Sequence, residues 1–263
     1  MVNKHIIVLS SFILFIFGCS SMQKPELSKA ENLKAMSFLS SIQKINHSSP
    51  DTISSSFTAD GSADEKKFRV EGKVAFDKKG YYKVAIFDYV FQSPVIEAYR
   101  ELDRLYFYYP AEKKLLTDDV NKIDLSRYVG FKTDYKLLYT LLTGGIPLID
   151  NYEVYKCLYD EKEKGYYLII QNDDYFENIF FVDDVPEKIL FIHKLSRNKA
   201  EIYLKSMIKK DKSIFFKNCR IVAPDLNTSI NISFSKPLLN SAVTINKLNT
   251  EKLPKKVEVI KVN

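Results

Sequence analysis

Residues 66–88 read KKFRVEGKVAFDKKGYYKVAIFD. Apolar residues alternate with polar ones from Phe68 to Phe76, and the alternation resumes after the turn formed by Asp77-Lys78-Lys79-Gly80. Alternation with a period of two is typical of a β-strand that has one face in a core. A short connection that contains glycine between two such runs predicts a hairpin. The segment therefore predicts two neighbouring antiparallel strands, and the same pattern recurs along most of the chain.

Further strands are predicted wherever short apolar runs alternate with turn residues. They cover residues 95–102, 105–109, 114–117, 152–159, 166–171, 178–182, 188–195, 200–208, 214–222 and 229–234. The total is about eleven strands joined as hairpins, and the last residues predict a short strand or an extended edge. Strands that do not alternate with helices disfavour a parallel α/β fold. The fold class predicted is mainly β with helices (α+β), a strongly curved antiparallel sheet with helices packed on its concave side.

Three helices accompany the strands. Ser28 and Glu31 have the spacing of a capping box, and apolar residues at helical spacing follow it, namely Ala35, Phe38, Leu39, Ile42 and Ile45. Asp124 begins a short second helix. Thr133 is a suitable N-cap for a third helix, which Gly144-Gly145 ends.

Some strands are apolar on both faces. Residues 81–87 and 105–109 are examples, and a core on one side of a sheet does not require this pattern. One interpretation is a sheet that faces helices on one side and a ligand or lipid on the other. The other is an ordinary strand that is buried on both sides. The periodicity favours the two equally.

The beginning of the chain predicts export and lipidation. Lys4 precedes a run of apolar and small residues from Ile6 to Phe17, which is shorter than the roughly 20 residues that a membrane span needs. Gly18-Cys19 then resembles the lipobox of bacterial lipoproteins, in which the signal is cut before the cysteine and the cysteine is acylated. The prediction is a signal peptide over residues 1–18, a lipid-anchored tether over 19–27 and a single domain over 28–263. An ordinary signal peptide or a signal anchor with an incidental cysteine is the alternative.

Composition and motifs exclude several classes of function. The net charge is +6, spread over 39 basic and 33 acidic residues without a dense basic block, and no motif that reads DNA or RNA accompanies it. The sequence offers no catalytic constellation, no phosphate-binding glycine loop and no metal-ligand spacing, so we expect neither an enzyme nor a cofactor. Export permits a disulfide between Cys157 and Cys219, although two buried free thiols are the simpler interpretation.

The order of elements along the chain resembles that of the LolA/LolB superfamily of periplasmic lipoprotein carriers and receptors. Four segments carry the resemblance, namely 72–76 with 82–88, Leu102 to Pro110, Leu141-Leu142-Thr143-Gly144-Gly145-Ile146-Pro147, and Asn246 to Leu253. Arg104 stands where the family usually has glycine, and Pro254 comes later than the family's terminal proline. The lipobox favours LolB, since LolA-type carriers are soluble after signal cleavage.

The resemblance implies an incomplete barrel closed by helices, with a cavity for acyl chains. The cavity residues it suggests are Val84, Ile86, Ile96, Ala98, Phe107, Leu137, Leu138 and Leu141. It also implies a membrane-contact loop over Asp88 to Pro94 with Tyr89, Val90 and Phe91 at its tip, although these three could instead pack into the core.

The partners implied are a membrane, through acylated Cys19, the acyl chains of other lipoproteins and a soluble LolA-like carrier. Ser20 lacks the aspartate that marks retention in the inner membrane, which favours the outer membrane, facing the periplasm. The other hypothesis is a structural or interaction lipoprotein of the cell envelope or surface that has the fold without acyl-chain transfer.

Overall fold

A computed structural model of the chain describes residues 26–63, 65–88, 92–120, 135–245, 248, 253 and 257–261. Within these residues fourteen strands form one sheet. Their order across the sheet is β14-β6-β5-β4-β3-β2-β1-β13-β12-β11-β10-β9-β8-β7. The strands are β1 Thr52–Ala63, β2 Lys66–Asp77, β3 Tyr81–Phe87, β4 Pro94–Glu101, β5 Arg104–Tyr109, β6 Lys114–Asp119, β7 Glu153–Asp160, β8 Gly165–Gln171, β9 Tyr175–Val182, β10 Val185–His193, β11 Lys199–Lys210, β12 Ser213–Ala223, β13 Thr228–Leu239 and β14 Glu258–Lys261.

The predicted hairpin of residues 66–88 is the β2–β3 pair, in which Val74 faces Val84 and Phe76 faces Tyr82. All strand pairs are antiparallel except that of β14, which runs parallel to β6. The prediction of an antiparallel sheet is confirmed, and β1 is the strand that was not predicted. Its small polar residues Ser54-Ser55-Ser56 carry little apolar alternation, but they pair with β2 and β13 on either side.

Two α-helices are described, α1 over Lys29–His47 and α2 over Tyr135–Leu142. Ser28 and Glu31 form the predicted capping box at the start of α1, and the five apolar residues expected on its buried face are all buried. Neither helix is long and apolar enough to cross a membrane. The predicted helix that begins at Asp124 lies outside the described residues.

The sheet has an inner face, which we define as the face that α1 and α2 cover. Close approach of strands on this face requires Gly72, since an added Cβ would lie 2.3 Å from the Phe57 ring and 2.8 Å from the Ala85 carbonyl oxygen. The inner face is the surface that positions the candidate site.

Candidate functional site

On strands β7 to β12 the inner face is filled by α1. One row of directly paired residues crosses these strands, consisting of Cys157, Leu168, Ile179, Ile189, Ile202 and Ile221. All six belong to one buried cluster with Ala35, Phe38 and Ile42 of α1. The Phe38 ring stacks on Phe181 with the ring centroids 4.1 Å apart. This half of the inner face is a packed core.

On strands β2 to β6 the inner face is buried at Phe76 and Leu105, whereas two neighbouring rows are apolar but less deeply buried. A directly paired row runs through Val74, Val84, Ala98, Phe107 and Leu116, and a second row joins Gly72, Ile86 and Ile96. All of these side chains except Gly72 retain partial exposure. Five of the eight predicted cavity residues therefore lie side by side on a single apolar surface, which we call the open half of the inner face.

The opposite face of the same strands is more deeply buried than the open half. Tyr99 is 6% exposed and Leu115 is 3% exposed, and both point away from the inner face. The chain returns to this side near its end, where the Leu248 backbone N–H donates to Glu101 Oε1 over 2.9 Å. Both faces of β3 to β6 therefore contain buried apolar side chains, and the open half is the partly exposed group on the inner face.

Helix α2 lies between the two halves of the inner face. Leu137 and Leu141 pack with the α1 cluster, and Leu141 is buried. On the other side the Tyr139 ring meets the Phe76 ring at 5.2 Å, and the Arg100 guanidinium lies 4.7 Å from the same Tyr139 ring. Burial raises the pKa of the Tyr139 hydroxyl to about 12.

A cavity of about 470 Å³ lies beside α2, within the usual size range of ligand pockets. Its walls come from α2, from the segment that follows α2 and from the β8–β9 turn, with Asn46, Lys136, Leu137, Thr140, 146–152, Asn172, Asp174, Tyr175 and Phe191. Leu137 is the one predicted cavity residue among these described lining residues. The predicted set therefore divides between the open half, this cavity and the core. The Leu138 side chain lies outside the description.

Two polar side chains fix the cavity wall at Ile146 and Ile149. The Asn46 amide donates to the Ile146 carbonyl oxygen over 2.9 Å, and its Oδ1 accepts from the Ile146 backbone N–H at 2.6 Å. Glu177 Oε2 accepts from the Ile149 backbone N–H over 2.9 Å. Since Ile146 is fully buried, these bonds satisfy backbone groups that water does not reach.

Glu177 is a fully buried carboxyl group on an apolar strand. Its second oxygen, Oε1, is buried without a hydrogen-bond partner in the described structure. Burial raises the pKa of this carboxyl to about 8, because removal from water disfavours the charged form more than the single bond from Ile149 favours it. The group is consequently mostly protonated near neutral pH.

Sequence analysis missed both Asn46 and Glu177. Asn46 lies next to His47 at the end of α1 and resembles an ordinary helix-terminal polar residue. Glu177 carried a detectable signal, since it occupies an inward position between Tyr175 and Ile179 on a strand that is otherwise apolar. A single acid in such a position indicates a buried acceptor for a specific donor.

Four predicted residues, Cys19 and the tip residues Tyr89, Val90 and Phe91, lie outside the described residues. The loop that carries the tip closes where the Asp88 backbone N–H donates to the Ser93 carbonyl oxygen over 2.9 Å.

The disulfide between Cys157 and Cys219 is not formed. Both thiols are free and buried, and four strands separate β7 from β12. Adjacent strands are roughly 4.8 Å apart, and a disulfide needs Cα atoms within roughly 7 Å of each other. Burial raises the pKa of Cys157 to about 11 and that of Cys219 to about 12. In the described part of the chain, no group of three His, Cys, Asp or Glu side chains could hold a metal ion.

Comparison with known proteins identifies the fold. No family model and no curated protein matches the chain. Among solved structures, a LolA superfamily protein from Nitrosomonas europaea matches 78% of this chain and 94% of its own, with a TM-score of 0.53 and 10% identity. The fold is LolA-like.

Two further structures agree with the LolA-like fold. A DUF1329 family protein from Desulfovibrio piger has a TM-score of 0.58 at 10% identity, covering 83% of this chain and 98% of its own. A domain described as an outer membrane lipoprotein-sorting protein, from Vibrio parahaemolyticus, has a TM-score of 0.54 at 11% identity, covering 84% and 98% respectively. Identities this low support a common fold and leave function to be argued from the site.

Proposed function

We propose that the chain is a lipid-anchored, LolB-like receptor that accepts the acyl chains of lipoproteins and helps deliver them to the outer membrane. The observation that carries the proposal is the open half of the inner face. Val84, Ala98 and Phe107 form one continuous apolar row there, and the row is only partly buried. An acyl chain that leaves water for such a surface gains about 0.8 kcal/mol for each buried CH₂.

In this proposal the two halves of the inner face have different tasks. The half filled by α1 is the structural core, and the open half together with the cavity beside α2 receives the ligand. Helix α2 contacts both halves and would close the site over a bound chain. Transfer would be physical, following relative affinities from a soluble LolA-like carrier to this receptor and then to the membrane, with no covalent step and no cofactor.

The anchor and the membrane loop complete the proposal. Acylation of Cys19 would tether the chain to the periplasmic side of the outer membrane, and Tyr89, Val90 and Phe91 would touch the lipid surface. Stable anchoring requires more than one acyl chain or a second attachment, because a single chain binds only marginally.

A second function is favoured by the core around α1. Because α1 fills the inner face from β7 to β12, the space under the two helices is not one continuous cavity. A structural or interaction lipoprotein with the same fold would need no cavity at all. The two functions differ in whether the open half binds an acyl chain.

Binding of acylated peptides separates the two functions. The chain from residue 20 onward, which lacks Cys19, should bind such peptides with an affinity that rises about fourfold for each CH₂ added to the acyl chain, following the transfer free energy of one methylene. Ala98→Glu places a carboxylate in the middle of the apolar row and should lower that affinity at least tenfold, because burying an unpaired charge is costly. Isothermal titration calorimetry with peptides of increasing acyl length measures both effects.

Ser233→Glu is the matched control for Ala98→Glu. It introduces the same charge at an exposed position on β13, on the opposite side of the sheet from its buried neighbour Phe234. This variant should bind like the wild type. An affinity that does not depend on acyl length, or an equal loss of affinity in both variants, would contradict acyl binding in the open half. Delivery has a separate test, since depletion of the protein in cells should mislocalise other lipoproteins.

A further inference from the structure

The turn between β10 and β11 exposes an apolar side chain. Leu195 is 90% exposed, the highest value among the large apolar side chains of the described residues, followed by Leu33 at 65%. An isolated exposed leucine is ordinary in soluble proteins, so the exposure alone carries no conclusion. Its surroundings decide what it can do.

The turn is rigid. The Arg197 backbone N–H donates to the His193 carbonyl oxygen over 2.9 Å, and the His193 backbone N–H donates to the Asn198 carbonyl oxygen over 3.0 Å. The Ser196 backbone N–H also approaches His193 Nδ1 at 3.1 Å. The backbone that carries Leu195 is therefore held by hydrogen bonds, so its ordering costs little conformational entropy when the turn binds a partner.

Apolar side chains continue behind the turn on the outer face of the sheet. Ile192 is paired directly with Phe176, and the Phe176 ring lies 5.4 Å from the Tyr155 ring. The Lys194 ammonium lies 4.7 Å from the centre of the Phe176 ring. Tyr155 and Lys194 each combine an apolar stem or ring with a polar end, a property of side chains that lie at membrane–water interfaces.

The size of this patch favours a bilayer over a protein partner. A stable protein interface buries about 800 Å² on each partner. The patch consists of Leu195 and three partly buried side chains, Tyr155, Phe176 and Ile192, and an aromatic side chain offers only about 150–250 Å² even when it is completely free. Four such residues fall short of a stable interface, whereas insertion of one leucine into lipid needs no complementary surface.

The turn is also bonded to a residue that lines the cavity. The Lys194 backbone N–H donates to the Asp174 carbonyl oxygen over 2.7 Å, and Asp174 lines the cavity through the β8–β9 turn. The antiparallel pairings place the β3–β4 loop at the same end of the sheet as the β10–β11 turn. Val95, next to this loop, is 43% exposed. A lipid surface at this end would meet both the turn and the cavity.

We propose that the β10–β11 turn, residues 194–197, inserts Leu195 into a lipid bilayer and so orients the cavity towards the membrane. The inference deepens the proposed function and rests on it for the presence of a membrane. The Lys194 backbone bonds to Asp174 and the Lys199 backbone to Asp225, and with Arg197 and Asp173 in the same two turns the positive and negative charges are equal in number. Binding is consequently governed by apolar contact and depends little on lipid charge.

The chain contains no tryptophan, which makes a single introduced indole a specific reporter. In the chain from residue 20 onward, Leu195→Trp should show a blue-shifted emission when phosphatidylcholine vesicles are added, and brominated lipids should quench it. Vesicles that also contain phosphatidylglycerol should give a similar shift. Leu195→Glu should lower vesicle binding at least tenfold, which corresponds to the transfer of one leucine side chain.

Leu102→Trp is the matched control. Leu102 is 54% exposed in the β4–β5 turn, at the opposite end of the sheet. Its emission should not change with vesicles. A shift for Leu102→Trp with none for Leu195→Trp would overturn the proposal, as would no shift for either. Acyl-peptide binding is measured without vesicles, so a failure of membrane contact at Leu195 is distinguishable from a failure of the proposed function.

Discussion

Replacing Glu177 with glutamine is expected to make the protein several kcal/mol more stable above pH 8 and to change its stability little below pH 4.5. The wild-type carboxyl is fully buried, and its pKa is raised from 4.5 to about 8 by that burial. Glutamine keeps an oxygen that can accept from the Ile149 backbone N–H and cannot ionise. The substitution therefore removes the titration and preserves the hydrogen bond.

The sign follows from proton binding in the two states. Between pH 4.5 and about pH 8 the native state retains the proton and the unfolded state has lost it. Stability falls with rising pH wherever the native state binds more protons, by about 1.4 kcal/mol for each pH unit per proton. This contribution of Glu177 is fully present below pH 4.5 and is lost as pH rises through the native pKa, whereas the glutamine variant has no such loss.

Urea unfolding of the wild type and Glu177→Gln across this pH range measures the difference. The free energies of unfolding should diverge steadily from pH 4.5 to about pH 8 and then run parallel. Glu187→Gln, at an exposed position of β10, controls for the change in net charge. Curves that stay parallel across the whole range would show that Glu177 does not titrate as a buried acid.

The elements that the sequence predicts well are those whose patterns are local. The capping box at Ser28 and Glu31 and the buried face of α1 depend on residues within a few turns of one helix, and both are present. The β2–β3 hairpin likewise depends on one alternation and one turn. Such patterns need no knowledge of distant segments.

The division of the inner face could not be predicted in the same way. Whether α1 covers β7 to β12 or β2 to β6 is decided by the order of strands in the sheet, and β1 pairs with β13, which follows it by more than 150 residues. The predicted cavity residues on β3, β4 and β5 share one face, because that property follows from alternation and register. The predicted residues on α2 separate from them, since the position of a helix over a sheet is set by long-range packing.

The strongest local effect is expected at the end of α1, where Asn46→Leu should lower the free energy of unfolding by about 2–6 kcal/mol. The Asn46 amide bonds both the N–H and the C=O of Ile146, at 2.6 and 2.9 Å. Leucine has a similar size and can make neither bond, so two backbone groups of a fully buried residue lose their partners. Each buried group left unsatisfied costs about 1–3 kcal/mol.

Asn46→Asp divides this effect into its two parts. Aspartate retains an acceptor for the Ile146 N–H and lacks the donor for the Ile146 carbonyl oxygen, so its loss of stability should fall between those of the wild type and Asn46→Leu. Gln43→Leu is the matched control, because it also replaces an amide by leucine on α1 but at an exposed position, where a change within about 0.5 kcal/mol is expected.

Urea unfolding measures the free energy of unfolding of the three variants, and its slope against urea concentration should be the same in each. Hydrogen exchange at the Ile146 amide gives a local readout. Protection of this amide should fall in Asn46→Leu and persist in Asn46→Asp, since the bond to the N–H survives only in the second. Equal stability of Asn46→Leu and Gln43→Leu would contradict the role of Asn46. Because residues 146–152 line the cavity, a variant that releases Ile146 should also change the affinity for acylated peptides, and Gln43→Leu should not.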